Sequence, residues 1–134
     1  MDSRVILDTD VASLSFKRRL PPTLLRQLVD SATAITFITQ GELTKWSVCR
    51  NWGADQQRRI ANWISRRPVL HSTDDIVSAW GEISAYAVRR GRPRPQNDTW
   101  IAACCLVYDL PLATLNVKDF QDFVDHEGLR LITA

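Results

Sequence analysis

A chain of 134 residues is long enough for one domain with its own core and short for two, so a single domain over 1–134 is expected. Hydrophobic residues make up 45% and charged residues 24%, which excludes wholesale disorder, and the longest apolar run, Trp100 to Tyr108, falls far short of the ~18 residues of a membrane span. The net charge of +2 does not by itself imply nucleic-acid binding, and three cysteines without a CxxC pair suggest reduced, packed thiols rather than disulfides or zinc.

The start, MDSRVILDTD, is too short and too acidic for a signal peptide, so a cytoplasmic location without membrane attachment is expected. Arg4 to Leu7 reads as a short buried strand. Pro22 to Ser31 follows as a helix with Leu24, Leu25, Leu28 and Val29 on one stripe, and Ala34 to Ile38 as a second strand. Two helices come next, the second over Asp55 to Arg66 with Ile60, Trp63 and Ile64. Then come a strand at Val69 to His71 and a helix at Asp75 to Arg90 striped by Ile76, Trp80, Ile83 and Ala87. Gly91-Arg92-Pro93-Arg94-Pro95 reads as an extended loop. A helix opening at Asn97 or Asp98 and strands at Leu112 to Leu115 and Leu129 to Ile132 complete the chain. Short apolar strands without polar alternation, separated by amphipathic helices, predict an α/β fold with a parallel sheet covered on both faces and right-handed crossovers.

The carboxylates fall at the element ends. Asp8 and Asp10 follow the first strand, Glu42 follows the second, Asp98 opens a helix, and Asn116 and Asp119 share the loop after the strand Leu112 to Leu115. In a parallel α/β sheet those points lie on one edge, where ligands bind. Capping explains each acid singly: Thr39 and Glu42 fit a T-x-x-E capping box, and Asp8, Asp10, Asn97 or Asp98 could start helices. Capping explains less well why the residue is so often a carboxylate. Asp8 in particular ends an apolar strand, where an unpaired charge costs several kcal/mol. Carboxylates converging without a nearby Lys or His repel, and a divalent cation removes the conflict. All-oxygen ligation favours Mg²⁺, with Mn²⁺ as the alternative, and suits activation of water against a phosphodiester.

LDTDVAS, ITQGEL, NDTWIAA and LATLNVKDF together resemble, in order and spacing, the four motifs of PIN-domain ribonucleases, specifically VapC-type toxins of type II toxin–antitoxin systems; the match runs from Val5 to Phe120. The resemblance implies a three-layer α/β/α sandwich and a metal-dependent endoribonuclease, with Asp8, Glu42 and Asp98 as the metal-holding acids. The fourth acidic position falls at Asn116, a departure from Asp, with Asp119 as the candidate replacement. Thr9 and Thr114 match polar residues that orient such acids. The resemblance also implies a VapB-like antitoxin partner, an RNA substrate and a homodimer, with Trp46, Trp52 and Trp63 in the region that receives the antitoxin.

Fourteen of the 17 basic residues are Arg, bunched as Arg18-Arg19, Arg58-Arg59, Arg66-Arg67 and Arg89-Arg90, with Arg92 and Arg94 close behind. Such pairs suit a polyphosphate chain. Arg92 and Arg94, running directly into Asp98, are the RNA-binding candidates. Three readings compete: a haloacid-dehalogenase-like phosphatase on the Asp8-Thr9-Asp10-Val11 string, a receiver-like switch, and a PIN-like fold that binds RNA or protein without cutting.

Overall fold

The structure, a computed structural model, describes residues 3–134; the first two residues of the expected domain lie outside it. The described residues form five strands and seven helices. The strands are β1 (Ser3–Leu7), β2 (Ser31–Thr36), β3 (Val69–Leu70), β4 (Leu112–Ala113) and β5 (Leu131–Ile132). The helices are α1 (Thr9–Phe16), α2 (Pro22–Leu28), α3 (Phe37–Cys49), α4 (Ala54–Ser65), α5 (Asp74–Arg89), α6 (Gln96–Tyr108) and α7 (Val117–Glu127). All strand pairs are parallel, in the order β3-β2-β1-β4-β5. The chain therefore builds outward from β1 on one side and then returns to build on the other. The crevice between β1 and β4 is the switch point of the sheet, where an open α/β fold binds ligands.

The sequence of β1 explains the layers. Val5, Ile6 and Leu7 are all buried, because the strand is covered on both faces. With a side-chain period of two, Ile6 faces one way and joins Ile76 and Ile83 of α5, Ile101 and Cys105 of α6, and Phe123 of α7. Val5 and Leu7 face the other way and join Val11 of α1, Leu24 of α2, Leu43 of α3 and Ile60 of α4. The result is the α/β/α sandwich, with α1–α4 on one face and α5–α7 on the other.

Several element boundaries differ from the sequence reading. β2 begins at Ser31 and stops at Thr36, and Phe37 and Ile38 belong to the first turn of α3. Thr36 caps that helix, its hydroxyl accepting the Thr39 N–H at 3.3 Å. The expected Thr39–Glu42 capping box is absent, because Glu42 already stands in the second turn. Asp119 lies in the first turn of α7 and not in a loop. That helix ends at Gly128, whose φ of 75° is a left-handed conformation that a side chain would strain. Cys104 and Cys105 are packed as expected, and burial pushes the Cys104 thiol up to about 12, but Cys49 is exposed at the end of α3. No helix among the described residues is long and apolar enough to cross a membrane.

Candidate active site

Asp8 ends β1 and caps α1. Its backbone is extended (φ −71°, ψ 173°), and its N–H donates to the Ala113 carbonyl at 3.0 Å, so the residue is locked into the β1–β4 crevice. One carboxylate oxygen accepts the Val11 N–H at 2.8 Å; the other accepts the Thr114 hydroxyl at 2.5 Å. Thr114 in turn accepts the Asn116 N–H at 3.0 Å. Capping and site-building are thus the same geometry here, since the carboxylate that accepts the Val11 amide also lines the acidic crevice. The residue is 4% exposed. Burial raises its carboxyl to about 6; the bonds from Thr114 and Val11 oppose the rise, and the charges of Asp10 and Asp98 add to it.

Glu42 reaches the same crevice from α3. Its Oε1 accepts the Thr9 hydroxyl at 2.8 Å, and Thr9 Oγ1 stands 3.0 Å from Thr39 Oγ1. Because the single Thr9 proton goes to Glu42, Thr39 is the donor to Thr9. Asp98 comes from the first turn of α6, which starts after Pro95 rather than at Asn97. Burial raises Asp98 to about 6, followed by the charges of Asp119, Glu42 and Asp10. Asn116 stands just ahead of α7, and its amide donates to the Asp10 carboxylate.

These residues line one pocket of about 100 Å³: Asp8, Thr9, Asp10, Glu42, Asp98, Asn116 and Asp119, walled by Trp46, Ile101 and Phe120. It contains five carboxylates and no Lys, Arg or His. Asp10, placed by the sequence at the acid edge but not among the metal-holding candidates, lines the pocket; Thr39, read from sequence only as a capping residue, and the apolar walls Ile101 and Phe120 are additions that the structure makes. His71 and His126 lie elsewhere; His126 pairs with Asp122.

Two sets of candidates are placed differently from expectation. Arg94 is turned inward: its Nε donates to Asp122 at 2.7 Å, its Nη1 to Glu127, and its guanidinium stacks on Phe123 at 4.1 Å. At 5% side-chain exposure it is a structural tie between the loop and α7, and has no free face for RNA. Arg92 is exposed. Of the three tryptophans, Trp46 walls the acidic pocket. Trp52 and Trp63 are half-buried against Phe16, and Arg67 stacks over Trp63 at 3.7 Å.

The donor set can be tested against a metal. Among the described residues no three acids already stand at ligating spacing, as expected of like charges with nothing between them. Yet a nearly buried carboxylate faces four others with no cation nearby, in a volume that admits on the order of three waters. An all-oxygen set of this kind fits a hard, partly hydrated divalent ion and not zinc.

No family model matches the chain. Over 123 residues it is 29% identical to Ribonuclease VapC1 of Haemophilus influenzae, covering 90% of this chain and 92% of that one. Its fold is similar to VapBC-1 from nontypeable Haemophilus influenzae (TM-score 0.80, 27% identity, 97% of each chain). It is also similar to VapBC2 from Rickettsia felis bound to a promoter DNA fragment (TM-score 0.79, 20% identity, 98% of each chain).

Proposed function

We propose that this chain, which sequence and fold together group with the VapC-type PIN-domain ribonucleases of toxin–antitoxin pairs, hydrolyses RNA phosphodiester bonds with its carboxylate crevice, in a divalent-metal-dependent reaction. The observation that carries this reading is the convergence of Asp8, Glu42 and Asp98 from three separate elements into a crevice lacking any balancing cation.

Asp8, Glu42 and Asp98 would hold Mg²⁺ or Mn²⁺, and the ion supplies an acidified water and charge neutralisation at the phosphate. The chain's own residues do the rest. Thr114 and the Val11 amide fix both oxygens of Asp8, and Thr9 fixes one oxygen of Glu42, so these acids are pre-aimed rather than free to rotate. Asp119 fills the acidic role at the fourth position, while Asn116 holds Asp10 in place. Ile101 and Phe120 keep one wall of the crevice dry, and Trp46 offers an aromatic face to a base.

In the cell the chain works in the cytoplasm as a homodimer held in check by a VapB-like antitoxin. A basic side chain of that partner would pair with the clustered acids and exclude the metal. The test is a cleavage assay on total RNA with Mg²⁺, with Mn²⁺ and with EDTA, comparing wild type with Asp8→Asn and Asp98→Asn. Cleavage only by wild type and only with metal is expected; cleavage that persists in EDTA overturns the mechanism. Growth arrest on expression, relieved by co-expressing the neighbouring gene, tests the toxin role.

A further inference from the structure

The far edge of the sheet, where strands begin and helices end, carries a feature of opposite sign. An open groove of about 1230 Å³ runs between the end of α1, the start of β2 and the end of α4. Lys17, Arg18 and Arg19 enter it from one side, and Arg59, Arg66 and Arg67 from the other. No Asp or Glu lines it, and none of the six forms an ion pair among the described residues. Segments some forty residues apart in sequence thus deliver their cations to one concavity.

Part of this charge has a local reason. Lys17 and Arg66 stand at the C-caps of α1 and α4, where a cation is favoured by ~0.3–1 kcal/mol. That accounts for two of the six. Of the others only Arg67 has a structural contact, and the rest add mutual repulsion, whereas in the other Arg-rich segment Arg90 and Arg94 are paired with Asp122 and Glu127. Arg67 is held against Trp63, its Nη1 donating to the Trp63 carbonyl at 2.8 Å, and its Nε is buried without an acceptor. The apolar lining is confined to Phe16, Trp63, Ala32 and Pro68, short of the continuous stripe that a docked amphipathic helix buries. Guanidinium pairs beside an aromatic ring are the chemistry of a nucleic-acid backbone site.

We infer that this groove is a second RNA-backbone site, which holds the substrate away from the acids that cut it. The inference rests on the ribonuclease reading. Ala32, at the groove, pairs with Arg4 in the sheet, and Asp8 lies four residues further along β1, so the two sites are separated by ~13 Å along the strand direction alone. Only an RNA long enough to pass around the sheet, or a folded one, engages both; a trinucleotide reaches the acids only. The groove therefore selects for substrate size and shape and lowers KM for large RNA without altering the chemical step.

Binding is read in EDTA by fluorescence anisotropy with labelled bulk transfer RNA, so that no cleavage is needed. The variant Arg18→Gln/Arg19→Gln/Arg59→Gln/Arg66→Gln is compared with wild type and with the same four positions changed to Lys. Loss of four phosphate contacts lowers the slope of log K against log salt by about 3, and the Lys variant keeps it. With Mg²⁺, KM for transfer RNA should rise at least tenfold in the Gln variant with kcat held, and trinucleotide cleavage should be unchanged. Lys17 supplies a readout on the wild-type protein: its acetylation, followed by mass spectrometry, should slow when transfer RNA is added. An unchanged salt slope, or equal Lys17 reactivity with and without RNA, overturns the inference. So does a Gln variant that loses its antitoxin while binding RNA as before, since the groove then belongs to a protein partner. RNA held by the groove in EDTA but never cut in Mg²⁺ would instead sink the ribonuclease reading alone.

Discussion

Replacing Asp8 with Asn should stabilise the metal-free protein at neutral pH while removing its activity. Asp8 is 4% exposed, and its carboxyl moves from 3.8 to about 6, chiefly through burial. At ~1.4 kcal/mol per tenfold change in proton affinity, keeping this group ionised in the folded state costs ~3 kcal/mol relative to the unfolded chain. The folded value lies above the unfolded one, so the folded state holds the extra proton between about pH 4 and pH 6. Stability is fullest below that window and falls as pH rises through it. An Asn in this place has one acceptor oxygen, so it can receive the Thr114 hydroxyl or the Val11 amide but not both, at a cost of ~1 kcal/mol. The net gain is ~2 kcal/mol near pH 7.5, turning into a loss of ~1 kcal/mol near pH 4. Urea unfolding in EDTA across this range, at constant m, measures the difference. Adding Mg²⁺ should then stabilise wild type and leave the variant unmoved. A stability difference that does not change with pH would refute the claim that Asp8 is a destabilised carboxylate.

Thr114→Val keeps the side-chain volume and removes the hydroxyl that orients Asp8, so Mg²⁺-dependent cleavage should fall by ~10–100-fold while far-UV circular dichroism is retained. Arg94→Ala strands Asp122 and Glu127 and uncovers Phe123; the urea midpoint should drop by the equivalent of ~3 kcal/mol, with the salt dependence of RNA binding unchanged. Asp119→Ala should reduce cleavage more than Asn116→Ala. Because the Asp119 charge helps to raise Asp98, its loss should also let Asp98 ionise at lower pH, visible by NMR titration of the carboxyl carbon in the metal-free state.

The layers and the acid edge were legible in the sequence because both depend on short-range patterns. Val5-Ile6-Leu7, apolar without alternation, suits a parallel strand covered on both faces, and Asp8 directly after it then falls at the C-terminal edge of the sheet. The T-x-x-E signal at Thr39 misled because the run ITFIT suits a strand and a buried helix turn equally. Packing of Phe37 and Ile38 against the α5–α7 side of the core ended β2 early and gave the cap to Thr36. The role of Arg94 could not be read locally, since its partners lie 28 and 33 residues away. From sequence it was one more cation in a basic loop; the fold supplies the acids that bury it. The six groove cations are the converse case, unremarkable in each segment and assembled only by the crossover from α1 through β2 to α4.

The hydrogen bond from Thr114 to Asp8 joins residues 106 positions apart, and β1 gains its β4 neighbour only through Leu112 and Ala113. During synthesis at about 5–20 residues per second, Asp8 and Glu42 are made about seventy to a hundred residues ahead of Thr114, leaving several seconds in which the central strand has one open edge. Over that interval Asp8 caps its helix but is neither buried nor fixed at its second oxygen. The growing chain therefore carries Asp8 before its second oxygen can be fixed, and the crevice reaches its folded form only after Thr114 has been made.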